Sequence, residues 1–253
     1  MNPSPGETTR FDPAAADQME KIISDLGRMY HERNEALQEV ARAHHEALFR
    51  LAMAAEYKDD DTGVHIVRIG FLAEALAQFL GQRKEYAQLL RKAAPMHDVG
   101  KIGIPDSVLK KPGSFTPDER LIMNRHPAIG ASILGRSRIA LFQMAAEIAL
   151  THHERWDGKG YPNRLAGKDI PLSGRIVTVV DYYDALTMDR VYRPAYSHEK
   201  VLAMLQEESG KAFEPDIVQC FMEHASDILA LHDTVTARRM TFADLVQGDQ
   251  ATP

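Results

Sequence analysis

The chain has 253 residues, of which 44% are hydrophobic and 26% charged, and a formal net charge of −6. These figures suit one large globular domain with an appended segment, argue against wholesale disorder, and leave no basic footprint for duplex nucleic acid. No apolar run reaches the roughly 18 residues that span a bilayer, residues 1–10 lack the apolar core of a secretory signal, and the single cysteine, Cys220, excludes a disulfide framework and fits a reducing cytoplasm.

Residues 1–16, with three prolines and a glycine up to Pro13, read as a mobile leader. A long helix is expected over 17–56. Met19, Ile23, Leu26, Tyr30, Leu37, Val40, Ala47 and Leu51 fall on three- and four-residue steps, the seam of a coiled coil interrupted at Arg33 and His44. Such a helix is about 60 Å long at 1.5 Å per residue, too long for one domain to cover, so self-association through the seam is expected. A catalytic domain over 57–233 follows, all helical. Its predicted helices are His65–Leu80, Glu85–Met96, Pro117–Arg125, Arg138–His153, Gly174–Met188, Ser197–Glu208 and Glu214–Leu231. The Ile176–Val180 stretch has strand-like residues, but its apolar pattern continues through Tyr183 and Leu186 at helical steps. Trp156–Pro171 is rich in Gly, Pro, Asp and Asn and reads as a loop with room for a short hairpin. Residues 234–253 read as a loose tail.

The chemistry concentrates in His65, the pair His97-Asp98, His126, the pair His152-His153, and Asp181, each near the end of a predicted helix or within one. Imidazole nitrogen and carboxylate oxygen without thiolate are the ligands of divalent iron, manganese and zinc, iron or manganese being favoured here. Asp181 sits among Val177, Val179 and Val180, where a bare carboxylate is expensive to bury without a cation or hydrogen bonds. Glu154 and Asp157 could orient a ligand histidine or cap the loop. The remaining histidines, His31, His44, His45, His198, His224 and His232, have no carboxylate at a suggestive position and are expected to be structural.

His97-Asp98-Val99-Gly100-Lys101 resembles the signature of the HD hydrolase superfamily. His152-His153-Glu154-Arg155-Trp156-Asp157-Gly158-Lys159-Gly160-Tyr161-Pro162 resembles the extended HD-GYP signature in full, and Asp181 to Arg193 resembles that family's next segment. The resemblance covers about residues 57–225. It implies an HD-type helical bundle with a GYP loop. The implied activity is a phosphodiesterase for cyclic di-GMP, giving linear pGpG or GMP through a metal-activated water. The implied metal ligands are His65, His97, Asp98, His126, His152, His153 and Asp181, with Asp98 the candidate bridge between two ions. Three-metal members carry a glutamate four residues before the first ligand histidine. Asp61 stands there, one methylene shorter, so two or three ions are expected. Lys101 matches the lysine on the scissile phosphate. Gly160, Tyr161, Arg190 and Arg193 match substrate-contacting positions. Competing readings are a phosphodiesterase for another cyclic dinucleotide, such as cyclic GMP-AMP, and a module that binds a cyclic dinucleotide and signals to protein partners through its long helix without turnover.

Overall fold

The long periodic segment forms a single helix. In the computed structural model, which describes residues 13–59, 63–189, 194–238, 240–241 and 244–245, α1 runs Pro13–Lys58. It starts ahead of Asp17 because Ala14, Ala15 and Ala16 are strong helix formers; residues 1–12 of the expected leader lie outside the described residues. The chain divides into two units, 1–44 and 45–253. In the first, Met19, Ile23, Leu26, Tyr30, Leu37 and Val40 are each about half exposed or more. In the second, the last turns of α1 bury Leu48, Phe49, Ala52 and Ala55 in the core. The expected boundary at residue 57 therefore moves to 45. Ala47 and Leu51 turn outward while their neighbours Leu48 and Ala52 turn in, so the outward seam and the core-facing stripe are different faces.

The second unit is built around α2 (Val64–Phe79), where Ile66, Ile69, Leu72, Ala73 and Leu76 are fully buried. A helix apolar on all sides belongs at the centre of a bundle. Around it pack α3 (Lys84–Ala93), α8 (Leu172–Thr187) and α11 (Ala225–Arg238). The bundle is completed by α4 (Asp106–Leu109), α5 (Pro117–Met123), α6 (His126–Leu134), α7 (Ala140–Thr151), α9 (His198–Glu207) and α10 (Pro215–Glu223). Short 3₁₀ turns occupy Ala94–Met96, Val99–Gly103 and Gly167–Asp169. Local chemistry sets the boundaries. Thr116 and Glu119 form a reciprocal capping box at the start of α5, and Pro127 and Pro215 sit in the first turns of α6 and α10.

The architecture is all-α, as the sequence pattern predicts, and the Ile176–Val180 stretch is helical. Two of the expected elements change. Among the described residues there is no strand, so the Trp156–Pro171 loop holds a 3₁₀ turn instead of a hairpin. Its backbone is tied by a carboxylate: Asn163 N and Leu165 N donate to Glu154 at 2.7 and 3.0 Å, which replaces ladder pairing. The segment expected as one helix over Glu214–Leu231 breaks at His224, which leaves helical geometry (φ −109°, ψ 20°) and stacks its ring on Phe79 at 3.9 Å. Among the described residues, no helix is long and apolar enough to cross a membrane.

The expected loose tail is partly core. Residues 234–238 continue α11, Val235 is fully buried, and Leu245 is 2% exposed, filling the space above Gly70 where another residue's side chain would stand. Replacing a buried leucine by alanine removes transfer energy and leaves a cavity, a cost of about 2–5 kcal/mol. Leu245→Ala should therefore lower unfolding free energy by about 2–3 kcal/mol in urea denaturation. A truly loose tail would give no measurable change.

Candidate metal centre

Seven side chains from five places in the chain converge. His65 lies in the first turn of α2, His97 and Asp98 between two 3₁₀ turns, His126 at the start of α6, His152 and His153 after the end of α7, and Asp181 in the middle of α8. A close backbone approach makes this convergence feasible. A side chain on Gly100 would overlap the His126 carbonyl and the Gly130 nitrogen, so only glycine lets the His97-Asp98 turn press against α6.

The histidines are aimed by their other nitrogens. His97 Nδ1 lies 3.1 Å from the Ala94 carbonyl, His126 Nδ1 2.8 Å from that of Met123, and His152 Nδ1 3.0 Å from that of Ala149. A carbonyl only accepts, so each Nδ1 carries the proton and each Nε2 keeps its lone pair. His65 Nδ1 meets the Asp184 carboxylate at 2.6 Å, with the same consequence. The Nε2 atoms then face carboxylate oxygens. Asp98 Oδ1 is 3.2 Å from His126 and 3.4 Å from His152; Asp98 Oδ2 is 3.3 Å from His97. Asp181 Oδ1 is 3.4 Å from His65 and 3.6 Å from His97.

Acceptors thus face acceptors. His97 Nε2 and Asp98 Oδ1 are buried without a hydrogen-bond partner, which is costly unless a cation sits among them. The spacing agrees: donor atoms about 2.1 Å from a shared tetrahedral ion lie about 3.4 Å apart. Two groups could each hold an ion, Asp98 with His126, His152 and His153, and His65 with His97 and Asp181. Asp98 belongs to the first, and its Oδ2 reaches His97 of the second. The donor set is nitrogen and oxygen without sulfur, which suits a borderline or hard divalent ion.

Electrostatics lean the same way. Burial, reinforced by the neighbouring imidazoles, pushes His153 well below the usual histidine range and lowers His152, keeping both neutral. Burial works against charge on His65, yet hydrogen bonds with Asp181 and Asp184 raise it well above that range. A raised value means a proton competes for this Nε2. The flanking carboxylates that favour the proton equally favour a metal cation in its place. Asp98 is held well below the usual carboxylate range, against burial, chiefly by Lys101 and His97.

Several contributors had no motif to announce them. Asp59, at the end of α1, grips Lys101 Nζ at 2.6 Å while Asp98 lies 2.8 Å away on the same ammonium. Lys101 is thus an inward-facing group and not a solvated surface lysine. Glu56 on α1 is 2% exposed and electrostatically coupled to His65 and Lys101; burial raises its pKa. Asp184 is fully buried and accepts from Arg68 Nε at 2.5 Å as well as from His65. One turn after Asp181 in an apolar helix, it carried only the burial argument that singled out Asp181 itself. Glu154 caps the loop and does not touch a ligand histidine; Asp157 does likewise, bonding Arg155 and the Lys159 nitrogen. Tyr161 stacks on His153 with ring centroids 4.8 Å apart. Gly160 leaves no room for a side chain against the backbone of His153, Glu154 and Arg155, so the loop folds tightly enough to seat that ring. A cleft of about 690 Å³ opens beside the centre, lined by His153, Tyr161, Asp181, Tyr182 and Phe213 among others. Asp61, Arg190 and Arg193 lie outside the described residues.

Asp98 reaches both groups, so Asp98→Ala should remove most of the bound metal. Elemental analysis after gel filtration should find less than half the wild-type content and an affinity weakened more than ~100-fold, beyond the roughly 10–100-fold that loss of an outer partner causes. Wild-type metal content in that variant would contradict the shared role.

The HD domain family model matches residues 21–217. The chain is 44% identical over 186 residues to 3′3′-cGAMP-specific phosphodiesterase 2 of Vibrio cholerae, covering 74% of this chain and 36% of that protein. It is 41% identical over 228 residues to a cyclic di-GMP phosphodiesterase of the same organism, covering 85% of this chain and 46% of the relative. The chain therefore spans less than half the length of these curated relatives. A crystal structure of a cyclic GMP-AMP specific phosphodiesterase of Vibrio cholerae superposes with a TM-score of 0.56 over 80% of this chain and 57% of that one, at 17% identity, a likeness of fold alone. With its His97-Asp98 pair at the centre and the extended signature in the His152–Pro162 loop, the chain belongs to the HD domain family, HD-GYP branch.

Proposed function

We propose that this chain is a metal-dependent phosphodiesterase that hydrolyses cyclic di-GMP to pGpG or GMP in the cytoplasm. The observation that carries this reading is the pair of donor groups brought together where Asp98 meets His97, beside a cleft walled by Tyr161. Two ions, iron or manganese, fit the seven donors; a third would draw on Asp61. When bound, divalent ions acidify water and polarise phosphoryl oxygens. The protein's own groups do the rest. Lys101 is held well above its usual pKa, against burial, by Asp98 and Asp59. It stays an ammonium, better suited to neutralising charge on the phosphate than to giving up a proton. Burial raises Tyr161 above the usual phenol range, so its hydroxyl remains a hydrogen-bond donor toward the substrate. Arg190 and Arg193 supply further positive charge for the second phosphate, because a planar guanidinium can donate two parallel bonds to it.

A second substrate reading has specific support. The 44% identity to a relative named for 3′3′-cGAMP keeps cyclic GMP-AMP in contention, since the two rings differ in one base. A turnover assay separates both from a silent binding module. The metal-loaded 253-residue chain, purified without oxygen, should cleave cyclic di-GMP faster than 3′3′-cGAMP or cyclic di-AMP. Lys101→Ala should keep its metal and lower kcat about 100-fold with little change in KM, the size expected for removing one group that stabilises developing charge. Cleavage of 3′3′-cGAMP alone would shift the assignment to that substrate, and absence of any cleavage would leave the binding-module reading.

The half-exposed stripe of Met19, Ile23, Leu26, Tyr30, Leu37 and Val40 supports a homodimer through α1, since an open apolar seam of this length seeks a partner. Light scattering on the 253-residue chain should give a dimer at micromolar concentration. Ile23→Glu with Leu37→Glu should convert it to a monomer without altering the melting of the 45–253 unit.

A further inference from the structure

Asp184 touches two histidines. Its Oδ2 accepts from His65, and its Oδ1 lies 3.5 Å from His232 Nε2. The other nitrogen of His232, Nδ1, is 3.2 Å from Asp233 Oδ1, and the same oxygen is 3.9 Å from His198 Nε2. These three residues each offer one donor atom within 4.8 Å of the others. Donors about 2.1 Å from a common tetrahedral ion stand about 3.4 Å apart, and the two observed separations bracket that spacing.

The outer contacts of this group resemble those of a built site. His198 Nδ1 is 2.7 Å from the hydroxyl of the fully buried Tyr183, which fixes the ring and leaves Nε2 turned toward Asp233. His232 Nε2 faces Asp184 Oδ1 and, at 3.4 Å, Thr187 Oγ1, which leaves Nδ1 for an ion. A metal-binding imidazole ordinarily has its second nitrogen held by a carboxylate, carbonyl or similar group. Access is open: His232 is nearly buried, but the His198 side chain is 30% exposed and that of Asp233 71%. Two imidazoles, one carboxylate and a solvent-facing side match a divalent transition-metal site with room for water.

We propose that His198, His232 and Asp233 form an additional divalent metal site, zinc being the favoured ion, separate from the seven-residue centre and joined to it through Asp184. The site does not rest on the phosphodiesterase reading, because it is defined by binding alone.

The test counts zinc. The 253-residue wild-type chain, Asp233→Ala and His198→Gln are saturated with zinc, freed of excess by gel filtration, and measured by elemental analysis. Asp227→Ala, which alters the exposed His224–Asp227 pair, serves as the surface control. Asp233→Ala and His198→Gln should each carry one zinc fewer than wild type, and the control should carry the wild-type number. Zinc should also raise the melting temperature less in the two variants than in wild type, while zinc-free melting stays alike, because Asp233 is exposed and glutamine can still bond Tyr183. Equal zinc content in wild type, Asp233→Ala and His198→Gln overturns the proposal, and so does loss of the same equivalent in the control. If His198→Gln does not fold, the count on Asp233→Ala decides alone.

Discussion

The structure is organised around closely packed acceptors, two of which, His97 Nε2 and Asp98 Oδ1, are buried with no donor. Backbone carbonyls and Asp184 accept hydrogen bonds from the Nδ1 atoms of four histidines, so four Nε2 atoms point at the oxygens of Asp98 and Asp181. Water is largely excluded, with His97 and His152 almost fully buried. Acceptors packed this closely repel one another unless positive charge sits between them. A protein that spends stability on such an arrangement is prepared for cations, and the helices around it hold the arrangement open.

The rest of the bundle serves that preparation. Arg68 and Asp184 form a buried ion pair between α2 and α8, the two helices that contribute His65 and Asp181. Burying such a pair is seldom a net gain in stability, but here it fixes the ring plane of His65. Arg91 and Glu74, at 2.8 Å, play a purely architectural counterpart between α3 and α2. Lys101 is pinned from both sides by Asp59 and Asp98, which joins the last residues of α1 to the centre. That link makes the end of the long helix part of the electrostatic environment of the metal centre. Asp184 has a second neighbour in His232, so the same carboxylate borders two clusters of imidazole.

Local rules read from residues alone give the helical class and most helix positions, and they single out the seven side chains that the fold brings together. Periodicity distinguishes α8 from a strand because the apolar positions keep helical steps through Leu186. The His97-Asp98 and His152–Pro162 motifs are legible because the chemistry is carried by adjacent residues, and adjacency survives in one dimension. What tertiary structure decided is whatever depends on partners far apart in the chain. Asp59 meets Lys101 across 42 residues and Asp184 meets His65 across 119; neither pairing leaves a local trace. Glu154, read as orienter or cap, is a cap because the loop backbone returns to it. α1 turns a second face inward from Leu48 on, where its residues enter the core, and Leu245 joins the core because Gly70 leaves a gap above α2. Periodicity records which residues avoid water, but only the fold says which surface removes it.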